Sequence, residues 1–277
     1  MIKKLILSVM LSMTLAAGTA LADDTDLPKK GTSPKIDEIR DRGTLRVGLL
    51  AEFPFLVEDT SGTGAKYAGP AWYLTNEFSD RLGVKIEVIP VSHEIKVPIL
   101  ATGQVDLTIA PLWVTEERKK VVDFVTYSNS SMCMIGMIDN PKLAEIKRIE
   151  DLNRDDLTLV YFTGGPTEYL VKPHFPDLNY RSVPSSGANA PIEELMSRRA
   201  DIAPVDSAAW PQLFKAVPGL RVWPETDECL KGTILSNPVG LALEKDQPVF
   251  RDWMQAVADH VSDKTIKEQV RIMKGID

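Results

Sequence analysis

The chain has 277 residues, 44% hydrophobic and 26% charged, a composition that can bury a sizeable core and rules out intrinsic disorder, a collagen-like fibre or a long coiled coil. Lysine and arginine number 32 against 39 aspartates and glutamates, giving a formal charge of −7 with no long basic run. No nucleic-acid partner is expected, because phosphate recognition needs a positive surface.

The first 22 residues read as a secretory signal peptide. Lys3 and Lys4 form a positive start, Leu5 to Ala17 is apolar, and Ala20-Leu21-Ala22 supplies small residues at a cleavage site before Asp23. A membrane anchor is the alternative, but the apolar stretch is short for roughly 30 Å of hydrocarbon. Export to the periplasm as a soluble chain is therefore expected. In an oxidising compartment Cys133 and Cys229 could pair, although spacing alone leaves two buried thiols as the other reading.

A polar, flexible leader over 23–35 precedes a regular alternation of helical and strand periods. Ile36 to Asp41 reads as a short helix stopped by Gly43, and Thr44 to Leu50 as a buried strand. Leu74, Phe78 and Leu82 recur every four residues, Gly83 supplies a left-handed stop, and Val84 to Val91 follows as a strand. Pro98 to Ala101 sits in a helix before the strand Val105 to Ala110. A second series places strands at Met132 to Met137, Leu157 to Phe162 and Ile202 to Val205. Its helices are expected near Thr167 to Lys172, Ile192 to Arg198 and Ser207 to Lys215. Asn237 to Leu243 reads as a last strand, and Phe250, Trp253, Val257 and Val261 mark the apolar face of a C-terminal helix. The fold class is thus α/β, with two units of mostly parallel strands flanked by helices.

Three segments could carry chemistry. Thr115, Glu116 and Glu117 have the makings of a helix start, a hydroxyl cap followed by acids on the positive dipole end. Arg118 fits that role poorly, because a cation opposes the dipole there while its planar fork can grip a carboxylate. Asp206 lies at the C-terminal edge of an expected parallel strand, where α/β sheets place ligand groups, and is equally suited to capping the next helix. In Thr163-Gly-Gly-Pro-Thr-Glu168, flexible glycines and amides at a helix start could cradle an anion, with Thr167 adding a hydroxyl. His93, His174 and His260 are widely separated and show no metal spacing, and no Walker loop, zinc motif or nucleophile elbow occurs. Neither a metal nor a cofactor is expected.

The run from Gly103 and Asp106 through Thr115 and Arg118 to Asp123, Phe124 and Tyr127 resembles the family-3 extracellular solute-binding proteins, the polar amino-acid receptors of ABC importers. The resemblance extends from Leu45-Arg-Val-Gly48 to the C-terminal helix. It implies a two-lobe periplasmic-binding-protein-like fold (type II), with lobe 1 over 36–129 and 236–277 and lobe 2 over 130–235. Hinge strands are expected near Thr126 to Ser131 and Gly232 to Asn237. By the same resemblance Arg118 would hold a ligand's α-carboxylate, Asp206 its ammonium, and Thr167 would touch the carboxylate. Phe53 would stack on the ligand and His93 would lie on a second wall, although composition alone reads each equally as ordinary core or surface. Glu52 could meet a basic side chain of the ligand, but a lone glutamate in a loop is usually solvated. Pro111 and Trp113 depart from the family's small or hydroxylated residues, and Trp113 would stack on the ligand or narrow the pocket.

The resemblance implies a monomeric receptor that hands a small amino acid or related ligand to a membrane permease, or feeds a sensor instead. A rival implication is an exported cyclohexadienyl dehydratase, whose Gly-Gly-Thr-Asn-Glu turn is similar to Gly164-Gly-Pro-Thr-Glu168 and would make Glu168 a general acid. In the receptor reading Glu168 would only neighbour the ligand.

Overall fold

The structure, a computed structural model, describes residues 25–59, 64–184, 190–231 and 235–275. The expected signal peptide and positions 232–234 of the expected second hinge lie outside the described residues. Among the described residues no helix is long and apolar enough to cross a membrane.

The chain begins with α1 (Pro34–Arg42), capped by the Ser33 hydroxyl and stopped by left-handed Gly43. It continues through β1 (Thr44–Leu49), a small ribbon of β2 (Val57–Glu58) and β3 (Tyr67–Ala68), α2 (Pro70–Leu82) and β4 (Lys85–Pro90). A 3-10 helix at Pro98–Thr102 leads into β5 (Leu107–Trp113), the single-turn α3 (Glu116–Lys119) and β6 (Val122–Ser130). At Ser131 the chain passes to a second body made of β7 (Met132–Met137), β8 (Thr158–Phe162), α4 (Thr167–Leu170), β9 (Asn179–Val183), α5 (Ala190–Met196), β10 (Ile202–Asp206), α6 (Trp210–Ala216), β11 (Leu220–Trp223) and α7 (Thr226–Leu230). It returns to the first body with β12 (Asn237–Glu244) and ends in α8 (Pro248–His260) and α9 (Ser262–Lys274).

Each body is built on one five-stranded sheet, in the orders β4-β1-β5-β12-β6 and β11-β7-β10-β8-β9. The pairings run four strands of each sheet one way and one against them, β12 in the first and β7 in the second. Both opposed strands are those entered directly after a crossing, so the fold is a type II two-lobe arrangement with two connections. Apolar packing is continuous between the lobes, since Phe55, Trp113 and Val239 of the first join Met134, Leu159 and Trp223 of the second.

The strand Met132–Met137 coincides with its expected span, but β5 runs three residues past its expected end, through Pro111. A proline in a central strand removes a ladder hydrogen bond and is tolerated at irregular positions. Pro111 sits where the pairing of β5 with β12 shifts register, between Gly240 and Ala242. The helix expected from Ser207 begins only at Trp210, because Ser207 to Ala209 form a turn around the Asp206 carboxylate, which accepts from Ala208 N at 2.8 Å. The leader is fastened rather than loose from Thr25 onward, the Thr25 carbonyl accepting from the Trp253 indole at 3.2 Å.

Cys133 and Cys229 form a disulfide that ties α7 to β7 across 96 residues of chain. Closing so long a loop removes much of the unfolded chain's freedom, which stabilises the native state by about 2–4 kcal/mol. Urea melts of the protein with Cys133→Ala and Cys229→Ala together are expected to lose stability by about that amount. An unchanged midpoint would show that the crosslink contributes nothing.

Candidate functional site

The parallel strands of both sheets end on the same cleft. β1 delivers Glu52 and Phe53, β4 delivers His93, β5 leads to Trp113 and Arg118, β8 leads to the turn through Thr167, and β10 ends on Asp206. This is where doubly wound sheets place ligand groups, because the loops after successive parallel strands converge there. Between the lobes lies a cavity of about 180 Å³ lined by these residues together with Lys96, Pro111, Met132, Tyr161 and Phe162. It adjoins a wider opening that shares Glu52, Phe53, His93, Phe162 and Asp206.

Arg118 is held at three points. The Thr115 hydroxyl accepts from its backbone N–H at 3.2 Å, capping α3 and fixing where the side chain starts. Its Nη1 donates to the Trp113 carbonyl at 2.8 Å and its Nη2 to the Gly164 carbonyl at 3.0 Å, one acceptor from each lobe. Arg118 is only 6% exposed. Burial pulls its pKa down while the Glu52 carboxylate pushes it back up, and a guanidinium stays charged under such a shift. Two of its five N–H groups are taken by carbonyls, and the fork keeps donors for an anion in the cavity.

Gly164 has a left-handed φ of 76°. A Cβ there would lie 2.7 Å from the His93 carbonyl oxygen, so only glycine permits this approach of the lobes. The same seam is closed by the His93 and Phe162 rings, stacked at 5.0 Å between centroids and 17° apart.

Asp206 faces the cavity from the second lobe. Ser130 Oγ donates to its Oδ2 and Ala208 N donates to its Oδ1. Burial outweighs those bonds and raises its pKa to about 6, with the Glu52 charge adding to the rise. Thr167 is buried at the first position of α4.

A second charged pair stands on the first lobe. Lys96, 3% exposed, donates from Nζ to Glu52 Oε2 at 3.2 Å and to the Pro111 carbonyl at 3.1 Å. The other Glu52 oxygen is 3.3 Å from His93 Nε2. Burial lowers the pKa of both Lys96 and His93, opposed by the Glu52 charge. Among the described residues the buried His93 Nδ1 and Tyr127 hydroxyl have no hydrogen-bond partner.

Of the residues expected at the site, Arg118, Asp206, Thr167, Trp113, Phe53 and His93 line the cavity together. Glu168 does not. Its carboxylate accepts from the Tyr161 hydroxyl at 2.7 Å and lies 3.5 Å from Lys172 Nζ, on a half-exposed side chain that does not itself line the cavity although Tyr161 does. The first turn of a helix points successive residues to different sides, and α4 spends its inward position on Thr167. Glu52, expected to be solvated, is instead part of the wall. Lys96 carries no expectation from the sequence, where a lone lysine reads as a solvated charge. The other residues of the Gly103-to-Tyr127 run serve the scaffold. Asp106 receives Arg46 N at 2.8 Å and the Arg42 and Arg46 side chains, and Asp123 pairs with Lys245 at 2.8 Å.

Residues 45–271 match the family model described as bacterial extracellular solute-binding proteins, family 3. A membrane-bound lytic murein transglycosylase F of Aeromonas hydrophila is 28% identical over 172 residues, 61% of this chain and 32% of that protein. The chain thus spans about a third of the length of that relative. A glutamine-binding protein of Geobacillus stearothermophilus is 25% identical over 234 residues, covering 80% of this chain and 86% of the relative. The crystal structure of an ancestral amino-acid-binding protein, described as a precursor of cyclohexadienyl dehydratase, superposes with a TM-score of 0.68 at 29% identity, covering 87% of this chain and 97% of that one. With the family model covering most of its length, the chain belongs to the family-3 bacterial extracellular solute-binding proteins.

Proposed function

We propose that the protein is a periplasmic receptor that captures an amino acid, or a related amine-bearing carboxylate, and delivers it to the permease of an ABC transporter. The observation that carries this reading is that Arg118 and Asp206 line one interlobe cavity, a cation from the first lobe and an anion from the second. A zwitterion between them touches both lobes, so its binding free energy favours the closed arrangement over any open one. Lobe 1 over 36–129 and 236–277 and lobe 2 over 130–235 would then move about the two crossings, and the closed form would be what the permease recognises. Amino-acid binding by the glutamine-binding relative and the ancestral structure supports the ligand class.

Against the dehydratase reading, Glu168 does not itself line the cavity, and its carboxylate is bonded to the Tyr161 hydroxyl and paired with Lys172. We therefore read the protein as a binder rather than a catalyst.

Arg118→Ala is expected to weaken binding of a zwitterion by about 2–5 kcal/mol, some thirtyfold to several thousandfold in Kd, with the fold intact by thermal melt. Calorimetric titration checks this, and retained affinity would remove the carboxylate assignment.

The pH dependence follows from Asp206, whose folded pKa of about 6 lies above the unfolded value. The folded carboxyl therefore holds its proton more tightly than the unfolded chain does. Stability of the free protein is expected to fall as pH rises from about 4 to about 6, and to gain nothing from this group above that window. An ammonium ligand needs the ionised form, so its affinity should decline on acidification through about 6. Asp206→Asn should flatten both profiles, and an unaltered slope in that variant would assign the titration elsewhere.

A further inference from the structure

The charges in the cavity are not equivalent. Glu52, Lys96, Arg118 and Asp206 all face it, but two of them consume each other. Glu52 accepts from Lys96 at Oε2 and its Oε1 lies 3.3 Å from His93 Nε2, while Lys96 Nζ is shared between Glu52 and the Pro111 carbonyl. The two charges of this pair offset each other within the first lobe. Arg118 and Asp206 are the cavity charges without a counter-ion of their own, one from each lobe, and an α-carboxylate and α-ammonium would neutralise them.

What surrounds these two groups is apolar. Phe53, Trp113, Met132, Tyr161 and Phe162 wall the inner cavity. The opening beyond it continues over Leu50, Ile135, Ile192, Val205 and Leu213. Within the cavity the charges already balance, Lys96 against Glu52 and Arg118 against Asp206. A cationic side chain would bring a further positive charge beside the buried Lys96 ammonium, and an acidic one a further negative charge beside the Glu52 carboxylate. Either leaves an unbalanced charge in a partly desolvated site, which is costly. An uncharged ring or branched chain meets no such penalty and packs on the aromatic wall.

We infer that the ligand's side chain is uncharged and apolar, and that the Lys96–Glu52 pair determines this specificity by occupying the carboxylate that would otherwise hold a cation. The inference rests on the zwitterion reading of Arg118 and Asp206 and adds the side-chain class to it.

The test is calorimetric titration of the protein, freed of bound solute by unfolding and refolding, with phenylalanine, tyrosine, leucine and methionine against arginine, lysine, glutamate and aspartate. At least one apolar amino acid is expected to bind about tenfold or more tightly than every charged one, a difference of about 1.4 kcal/mol. Lys96→Met, similar in length and without charge, releases Glu52 and should raise affinity for arginine or lysine by about tenfold over the unaltered protein. A purely structural lysine would give no such gain. Tighter binding of a charged amino acid by the unaltered protein, abolished by Arg118→Ala, would overturn the side-chain inference while leaving the zwitterion reading standing. Failure of every amino acid to bind would overturn the zwitterion reading and the inference with it. If Lys96→Met does not fold, the unaltered protein's ligand order decides alone. If it folds without gaining affinity for either cation, the role given to Lys96 is wrong.

Discussion

A guanidinium buried between two bodies must find acceptors on both, and much of this structure follows from that requirement. Arg118 finds them in the Trp113 carbonyl of the first lobe and the Gly164 carbonyl of the second. The first acceptor depends on the end of β5, where the strand carries on through Pro111 to present Trp113 to the cleft. The second depends on a left-handed glycine with no room for a Cβ against His93. Thr115 caps the turn from which the arginine projects, so a residue that looks like an ordinary helix signal also sets the position of the binding cation. In the receptor reading the charge that bonds to both lobes is also the charge offered to the ligand, which would couple binding to closure without a separate switch.

The sequence shows the scaffold of the site more readily than its electrostatics. Strands such as Met132–Met137 and Ile202–Asp206 are apolar runs bounded by polar or turn residues, and periodicity finds them within a residue or so. Of β6 only the second half is expected, as a hinge strand near Thr126 to Ser131, because its buried positions, Val122, Val125 and Ser130, do not alternate, and its partner β12 carries a register shift between Val239 and Gly240. The edge strand β9 is mostly exposed, and nothing in its residues distinguishes it from a loop. At the C-terminus the apolar face of α8 reads cleanly, but the break at Val261 and the further helix α9 do not. That second helix is held largely by contacts with α2 and by Glu268, which accepts from Gly69 N at 3.0 Å, partners nearly two hundred residues away in the chain.

Arg118 is legible because a cation in the first turn of a helix opposes the dipole, and Asp206 because it sits at the strand end where α/β sheets place ligand groups. Lys96 and Glu52 are not, since each alone resembles a solvated charge and only the fold brings them together across 44 residues. Glu168 shows the converse. Its place in a turn similar to that of an enzyme suggests chemistry, yet a one-residue offset along α4 turns it toward Tyr161 and Lys172 and leaves Thr167 inside. Side-chain direction over a single helical turn, which sequence spacing cannot settle at a frayed helix start, separates the two readings.

The central claim is that a zwitterion bridges the lobes through Arg118 and Asp206. A crystal structure of the protein with its amino-acid ligand tests it most directly. The account requires the ligand's carboxylate within about 2.7–3.2 Å of the Arg118 guanidinium and its ammonium at a similar distance from Asp206. A ligand seated in the cleft while Arg118 bonds only to the Trp113 and Gly164 carbonyls would contradict it.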